Sequence, residues 1–174
     1  MPTITEAIPT PQPHLAREDR VDWRATIPYA LFHVAAIVGA IVFHPRPWDL
    51  ALMGFMYLAR MAAVTGGYHR YFSHRSYSTS RAFQFLLALW GSTAMQQGPL
   101  WWASVHRHHH RYSDQPEDVH SPSQRGFWWA HMGWIFSPRF AKTRLELVPD
   151  LARYPELRWL DRNWLVPQVG LAAL

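Results

Sequence analysis

Two apolar blocks near the N-terminus constrain the fold of this chain most strongly. Residues 27–43 form a 17-residue stretch without a charged side chain, and residues 50–64 form a second block with Arg60 near its end. The hinge between them is broken by prolines and carries Trp48. About 20 apolar residues cross a bilayer as a helix, and tryptophan favours the membrane interface. The pattern predicts a helical hairpin through a membrane, with two buried helices of a soluble protein as the alternative.

The composition agrees with this prediction once it is divided along the chain. The mean hydropathy of −0.19 is that of a soluble protein. This average combines a polar, proline-rich tail, residues 1–26, with the apolar blocks that follow it. We therefore divide the chain into this tail and a membrane domain, residues 27–174.

The arginines predict the orientation of the hairpin. The hinge has only Arg46, whereas several arginines flank the two blocks: Arg17, Arg20 and Arg24 before them and Arg70, Arg75 and Arg81 after them. Cytoplasmic loops are enriched in basic residues, so both ends of the hairpin are expected on the cytoplasmic side. The net charge of +5 suits anionic headgroups or a phosphorylated acyl carrier. Because the arginines are dispersed between apolar blocks, nucleic acid is not an expected partner.

The third apolar block, residues 83–105, is interrupted by Gln96, Gln97, Gly98 and Pro99. Proline is well accommodated at the first position of a helix, so Pro99 is predicted to begin a new helix that continues through residues 100–112. The block is therefore expected to break before its last two turns rather than to cross the membrane as one helix.

The C-terminal third of the sequence has three parts. Residues 127–136 are apolar and rich in tryptophan but too few to cross, which predicts a helix in the interface or over a cavity. Residues 137–163 are charged and interrupted by prolines, as in a cytoplasmic connection. Residues 164–174 begin another apolar run, so a further span is expected to start there and the chain is expected to be incomplete.

Histidine clusters indicate a metal site. Eight of the eleven histidines lie between residues 69 and 131, and the chain has no cysteine. Imidazole clusters without thiolate suit iron better than a structural zinc site. On a helix, His106, His109 and His110 have i, i+3 and i+4 spacing, so their side chains are expected to point from one face toward a single point. One metal ion can bind two of them, or two metal ions can share the set.

Three segments carry a resemblance to a known family: GGYHRYFSH at 66–74, WWASVHRHHHRYSD at 101–114 and DVHSPSQRGFWWAHMGW at 118–134. They strongly resemble the integral-membrane acyl-CoA desaturases of the stearoyl-CoA (Δ9) type, and the resemblance covers roughly residues 27–174. It implies an all-α fold of several membrane helices with a helical, histidine-rich cap on the cytoplasmic side.

The resemblance also implies a set of metal ligands. The family motif HxxxxH is matched by His69 and His74, and the motif HxxHH is matched by His106, His109 and His110. In the family these five positions are ligands of a di-iron centre, whereas His108 occupies the variable position of the second motif. The family completes its centre with a third HxxHH motif and a further histidine beyond residue 174. We therefore expect the 174-residue chain by itself to form no unsaturated product.

Other residues match family positions near the substrate. Gln96 and Trp102 match positions that line the acyl tunnel, with ordinary packing as the alternative, and Arg125 matches a basic position near the CoA. Ser104 and Val105 replace an Arg-Asp pair found in animal members, which weakens the transfer of their CoA contacts.

Residues around the second motif complete the candidates. One of the acids Asp114, Glu117 and Asp118 is expected to hydrogen-bond a metal-bound histidine, with a solvated acidic turn as the alternative. His120 and His131 are expected to have hydrogen-bonded structural roles rather than to bind metal.

The function implied by the resemblance is O₂-dependent desaturation of a saturated fatty acyl chain, with an acyl-CoA as the expected substrate. The implied cofactors are two iron ions, with O₂ as co-substrate, and a cytochrome b5 or ferredoxin-type electron donor would dock on the basic cytoplasmic face. Three alternatives stay open: a membrane alkane or sterol hydroxylase with similar histidine motifs, a non-enzymatic membrane metal carrier, and an inactive remnant of a desaturase.

Overall fold

A computed structural model describes residues 20–173, and within this range the chain is built from helices and turns without a strand. The all-α prediction is therefore confirmed for these residues. Most of the predicted polar tail, residues 1–19, lies outside the described residues, as does Leu174. The division of the chain at residue 26 stays a prediction.

The first two helices cover the two apolar blocks of the predicted hairpin and are joined by its short hinge. Helix α1 is Trp23–Phe43 and helix α2 is Pro47–Ala62, so α1 begins four residues before the apolar block. Asp22 caps α1 by accepting a hydrogen bond from the backbone N–H of Arg24 at 2.9 Å. Pro47 is the first residue of α2, where its missing N–H costs no hydrogen bond. The prolines of the hinge thus separate the two helices.

The hairpin exposes its apolar surface. Within the described residues, no side chain of α1 or α2 is buried. Phe43, for example, is 83% exposed. Two helices, Trp23–Phe43 and Pro47–Ser73, are long and apolar enough to cross a membrane, with mean hydropathies of 2.0 and 1.3. Within residues 20–173 no third helix meets this test. The exposure argues against two buried helices of a soluble protein, because such helices would lie in a core.

Helix α2 continues without interruption into a π-helical segment, Ala63–Ser73. Helix α3, Arg81–Ser92, follows a short loop and is capped by Ser80, whose hydroxyl accepts from the N–H of Phe83 at 3.2 Å. Helix α4, Pro99–Arg111, begins at Pro99 as predicted. The expected break in the third apolar block is therefore confirmed, and residues 93–98 form the turn.

Short helices make up the rest of the described chain. They are α5 (Pro122–Arg125), α6 (Phe127–His131), α7 (Pro149–Ala152), α8 (Pro155–Arg162) and α9 (Val166–Ala172), with 3-10 turns at Gly133–Phe136, Pro138–Phe140 and Leu145–Leu147.

Residues 127–136 form two short segments instead of the single predicted helix, because the backbone turns at Met132 between α6 and the 3-10 turn. Trp128 is 78% exposed. The backbone carbonyl of Phe136 accepts a hydrogen bond from the N–H of Asp22 at 2.9 Å. The centroid of the Phe136 ring lies 5.1 Å from that of the Tyr29 ring. This tryptophan-rich segment therefore lies beside the N-terminal end of α1, at the open end of the hairpin.

The core lies under the histidine motifs. Tyr68 and Phe72 of the π-helical segment are fully buried against α3, α4 and α8. Residues 137–163 are more than the connection expected from their charge, because Val148, Leu151, Leu157 and Leu160 are fully buried in this core. Leu157 and Leu160 are three residues apart on α8, so both face the core while Arg158 and Trp159 between them are exposed.

Candidate metal centre

Four histidines from the two motifs form one cluster, which we call the four-histidine cluster: His69, His74, His106 and His110. Their ligand atoms all lie within 4.8 Å of one another. The Nε2 atom of His74 lies 3.1 Å from that of His69 and 3.3 Å from that of His106, and the Nε2 atoms of His106 and His110 are 3.0 Å apart. The structure therefore brings both motifs to one point.

The π-helical segment explains how the first motif can face this point. His69 and His74 are five residues apart, and on an α-helix this spacing would turn their side chains roughly 140° from each other. In a π-helical turn the backbone instead pairs residues five apart, and the N–H of His74 donates to the carbonyl of His69 at 3.0 Å. The imidazole rings consequently lie 4.4 Å apart. π-helical turns often occur at functional sites.

The second motif contributes His106 and His110 from one face of α4. Their i, i+4 spacing places the side chains one above the other, and the ring centroids are 4.5 Å apart. Burial lowers the pKa of His106 to about 3, and the neighbouring imidazoles add to this shift because they would repel a charge there. The pKa of His110 is also lowered, again first by burial. Neutral rings keep a lone pair on one nitrogen, which metal binding requires.

The donor set fits a transition-metal ion. Nitrogen ligands about 2.1 Å from one ion are about 3 Å apart when they are at right angles, which is close to the observed Nε2–Nε2 distances. Imidazole binds zinc, copper, iron and nickel, so the set favours a transition metal over calcium or magnesium. The choice of iron among these metals remains a prediction.

His109 has different partners from the other histidines of its motif. It forms a second group with Asp118 and His120, separate from the four-histidine cluster. Its ring stacks on that of His120 at 4.1 Å and lies 5.4 Å from that of His110. The expectation that His106, His109 and His110 point toward a single point is therefore met by two of the three. Successive residues of an α-helix are rotated by about 100°, so the side chain of His109 points away from that of His110 and toward the loop that follows α4.

Asp118 fixes the orientation and the tautomer of the His109 ring. The carboxylate is fully buried and lies 2.8 Å from the Nδ1 atom of His109. It also accepts from the N–H groups of Asp114 and His120. Burial alone would raise the pKa of Asp118, but these hydrogen bonds outweigh it and the pKa is lowered. Because an ionised carboxylate only accepts, Nδ1 of His109 carries a proton, so the tautomer of the neutral ring has its lone pair on Nε2. Such carboxylate–histidine pairs accompany metal-ligating histidines.

Comparison with known proteins decides the family. The family model for fatty acid desaturases matches residues 45–174, which include both histidine motifs and the residues of both histidine groups. The chain belongs to the fatty acid desaturase family. Members of this family are oxidoreductases of lipid metabolism, which agrees with a transition-metal site in a membrane-associated protein.

Several known desaturases are similar to this chain. An sn-2 palmitoyl-lipid 9-desaturase of Nostoc sp. (strain 36) is 33% identical over 93% of this chain and 58% of its own length. An sn-1 stearoyl-lipid 9-desaturase of Anabaena variabilis is 31% identical over 89% of this chain and 57% of its own length. An acyl-CoA Delta(11) desaturase of Spodoptera littoralis is 33% identical over 83% of this chain and 44% of its own length.

These relatives include enzymes named for lipid-bound and for CoA-bound acyl chains, so they support a desaturase without selecting the acyl-CoA Δ9 type. The chain spans about half the length of the curated relatives it matches.

Two of the predicted substrate residues lie beside the four-histidine cluster. The ring of Trp102 stacks on that of His106 with centroids 4.6 Å apart, and its Nε1–H donates to the side-chain carbonyl of Gln96 at 3.0 Å. Trp102 thus separates the cluster from the turn that follows α3. The contact of Trp102 and Gln96 with an acyl chain stays a prediction.

Arg125 lies at the end of α5, and its guanidinium is 4.4 Å from the ring centroid of Trp129. This places it with the tryptophan-rich segment rather than among the histidines of the cluster. Its expected role near an acyl carrier stays a prediction. His131 stacks on Phe127 at 5.4 Å in the same segment and lies outside both histidine groups.

His120 is the member of the second group that the sequence did not place among the candidate ligands. His120 was expected to have a structural role, and the structure places its ring against His109. The two-residue spacing from Asp118 to His120 gives a signal for this arrangement, because an aspartate often accepts from the backbone N–H two residues later, as Asp118 does from His120 at 3.2 Å. The expectation that one acid would hydrogen-bond a histidine of the second motif is met by Asp118.

Proposed function

We propose that this chain carries the membrane hairpin and the first two histidine motifs of an O₂-dependent desaturase that acts on a saturated fatty acyl chain at a di-iron centre. The observation that carries the proposal is the convergence of four Nε2 atoms from two motifs in a chain of the fatty acid desaturase family. The five histidines His69, His74, His106, His109 and His110 are the proposed ligands.

The reaction requires a metal because removal of two unactivated C–H hydrogens lies beyond side-chain chemistry. Bound iron supplies the activation of O₂. Oxidation of two adjacent methylenes to a cis double bond, coupled to reduction of one O₂ to two waters, takes two further electrons. A cytochrome b5 or ferredoxin-type donor supplies them, and the net charge of +5 suits the docking of an acidic donor on the cytoplasmic face.

The chain's own residues have two roles in this proposal. The neutral imidazoles of the cluster present lone pairs at fixed positions, and Asp118 orients the ring of His109 through its Nδ1 atom. Trp102 covers one side of the cluster with an apolar ring and is itself held by Gln96. We propose that this pair forms part of an apolar channel which brings the acyl chain to the cluster and excludes water.

The substrate proposed here is a saturated C18 chain that gains its double bond at Δ9. The motif resemblance favours stearoyl-CoA, while two of the similar enzymes are named for Δ9 desaturation of lipid-bound chains. The chemistry at the double bond is the same with either carrier. We propose that Arg125, whose guanidinium lies over the ring of Trp129, contacts a phosphate of the CoA carrier.

The test uses the complete translation product of the gene in membranes, with iron, O₂ and reduced cytochrome b5 or ferredoxin. We expect stearoyl-CoA or stearoyl-lipid to yield oleoyl product, measured by mass spectrometry of the methyl esters. The His106→Ala variant should give no oleoyl product, because loss of the His106 imidazole removes the ring at the centre of the cluster.

The carriers are supplied in separate reactions, so the one that turns over identifies the substrate. A hydroxystearoyl product would instead support the hydroxylase alternative. Iron-loaded membranes that convert neither carrier would contradict the proposed function.

We also propose that the hairpin crosses the membrane with its open end, and hence the histidines, on the cytoplasmic side. The arginines that flank the hairpin support this orientation. Because the chain has no cysteine, single cysteines introduced as Pro45→Cys and Ser78→Cys can be labelled without removing native thiols. Both positions are exposed.

In intact cells, a membrane-impermeant maleimide should label the cysteine at position 45 and leave that at position 78 unlabelled until the membrane is opened. Labelling at 78 but not at 45 in intact cells would reverse the proposed orientation.

A further inference from the structure

Arg107 joins the two histidine motifs on the side away from the four-histidine cluster. Its Nη2 atom donates to the carbonyl of Phe72 at 2.7 Å, and its Nε atom donates to the carbonyl of Ser73 at 3.2 Å. Arg107 follows His106 directly, and Ser73 precedes His74 directly. These hydrogen bonds therefore lie one residue from the 3.3 Å contact between the Nε2 atoms of His74 and His106.

The two carbonyls are at the end of the π-helical segment, where helix carbonyls need partners from outside the helix. Preceding carbonyls accept hydrogen bonds from the chain that follows. The carbonyl of His69 accepts from the N–H of His74, and that of Tyr71 accepts from the N–H of Arg75. Arg107 provides the donors for the next two carbonyls, so α4 caps the helix that carries the first motif.

Asp150 holds the guanidinium in this position. Its two carboxylate oxygens accept from the Nη1 and Nη2 atoms of Arg107 at 2.7 and 3.1 Å. The Arg107 and Asp150 side chains are only 23% and 35% exposed. A planar guanidinium can donate to two carbonyls and a carboxylate at once, whereas an ammonium cannot match this fork. Asp150 belongs to α7, which packs into the core through Leu151.

We propose that Arg107 and Asp150, here called the clamp, are positioning residues that hold the two histidine motifs at the distance needed to share a metal centre. This inference rests on the proposed function, because it assumes that the cluster binds metal. The clamp acts through His74 and His106 and touches neither metal nor substrate. Its loss leaves all the proposed ligands in place but lets the ends of the two helices separate.

The test is titration of the purified protein in detergent with Co²⁺, whose visible absorption reports its coordination. The variant Arg107→Lys keeps the positive charge but removes the planar guanidinium. The variant Asp150→Asn keeps the shape of the side chain but removes its negative charge. We expect Arg107→Lys to lower Co²⁺ affinity about tenfold to hundredfold and to shift the absorption band, as seen when partners behind metal ligands are removed. Asp150→Asn should also lower the Co²⁺ affinity and shift the absorption band in the same direction. The double variant should be no weaker than Arg107→Lys, because the two residues act as one unit.

The control is Arg111→Lys, an exposed arginine on the same helix, which should bind Co²⁺ within about twofold of the unchanged protein. Circular dichroism at the titration temperature identifies variants that remain folded. If Arg107→Lys does not fold, Asp150→Asn decides the question by the same criteria. Unchanged affinity and absorption in the folded variants would overturn the clamp alone. An unchanged protein that binds no Co²⁺ would instead contradict the proposed function, and the clamp with it.

Discussion

Substitution of His106 by alanine is expected to lower the affinity of the protein for Co²⁺ or Fe²⁺ by about 100-fold or more. The Nε2 atom of His106 lies within 3.3 Å of those of both His74 and His110, so His106 links the two motifs in the cluster. Its removal takes away one ligand and separates the remaining ones. Isothermal titration of the metal-free protein in detergent measures the affinity.

His108→Ala is the matched control, because it removes an imidazole from the same helix and the same run of histidines. The Nε2 atom of His108 lies 3.0 Å from the carbonyl of Glu117 and its side chain is outside the cluster. We expect its metal affinity to stay within about threefold of the unchanged protein. If His108→Ala lost the metal while His106→Ala retained it, the proposed ligand set would be wrong.

Gly98→Ala is expected to destabilise the protein by about 3 kcal/mol through overpacking. Gly98 precedes α4, and a Cβ atom there would lie 2.6 Å from the Cα atom of Asp161 and even closer to its carboxylate. The Cα atom cannot move aside by a change of rotamer, so α4 and α8 would have to separate. The Asp161 carboxylate accepts from the N–H groups of Leu100 and Trp101 at 2.9 and 2.8 Å, and these bonds would be strained as well.

The measurement is thermal or SDS denaturation in detergent, followed by circular dichroism. Gly54→Ala serves as the control, since no atom of the described residues lies within 4 Å of the added Cβ outside its own helix. In the interior of α2 this change should be neutral or stabilising by up to about 1 kcal/mol. Equal stability of Gly98→Ala and the unchanged protein would show that α4 and α8 do not pack as described.

Local sequence patterns were enough to predict several helices. The two apolar blocks predicted α1 and α2, because an unbroken run of apolar residues specifies a helix wherever backbone groups must be satisfied without water. The Gln-Gln-Gly-Pro sequence predicted the turn before α4, because proline fixes the first residue of a helix. The core role of residues 137–163 was not predicted, because their charged and proline residues concealed the four apolar positions that are buried.

The sequence by itself predicted the candidate metal ligands and determined the family to which the chain belongs. Histidine identity and spacing are local properties, and they single out five candidate ligands before any fold is known: His69, His74, His106, His109 and His110. They do not determine the direction in which each histidine side chain points. Only the structure decided that π-helical geometry turns the first motif inward and that His109 faces a different group.

The supporting contacts were likewise decided only by the tertiary structure. Asp161 caps α4 from 60 residues away, and Asp150 holds Arg107 from 43 residues away. Neither acid belongs to a recognisable motif, and each resembles an ordinary surface residue in the sequence. Such contacts depend on how α7 and α8 pack against α4 through buried leucines, and packing joins residues whose separation along the chain carries no periodic signal.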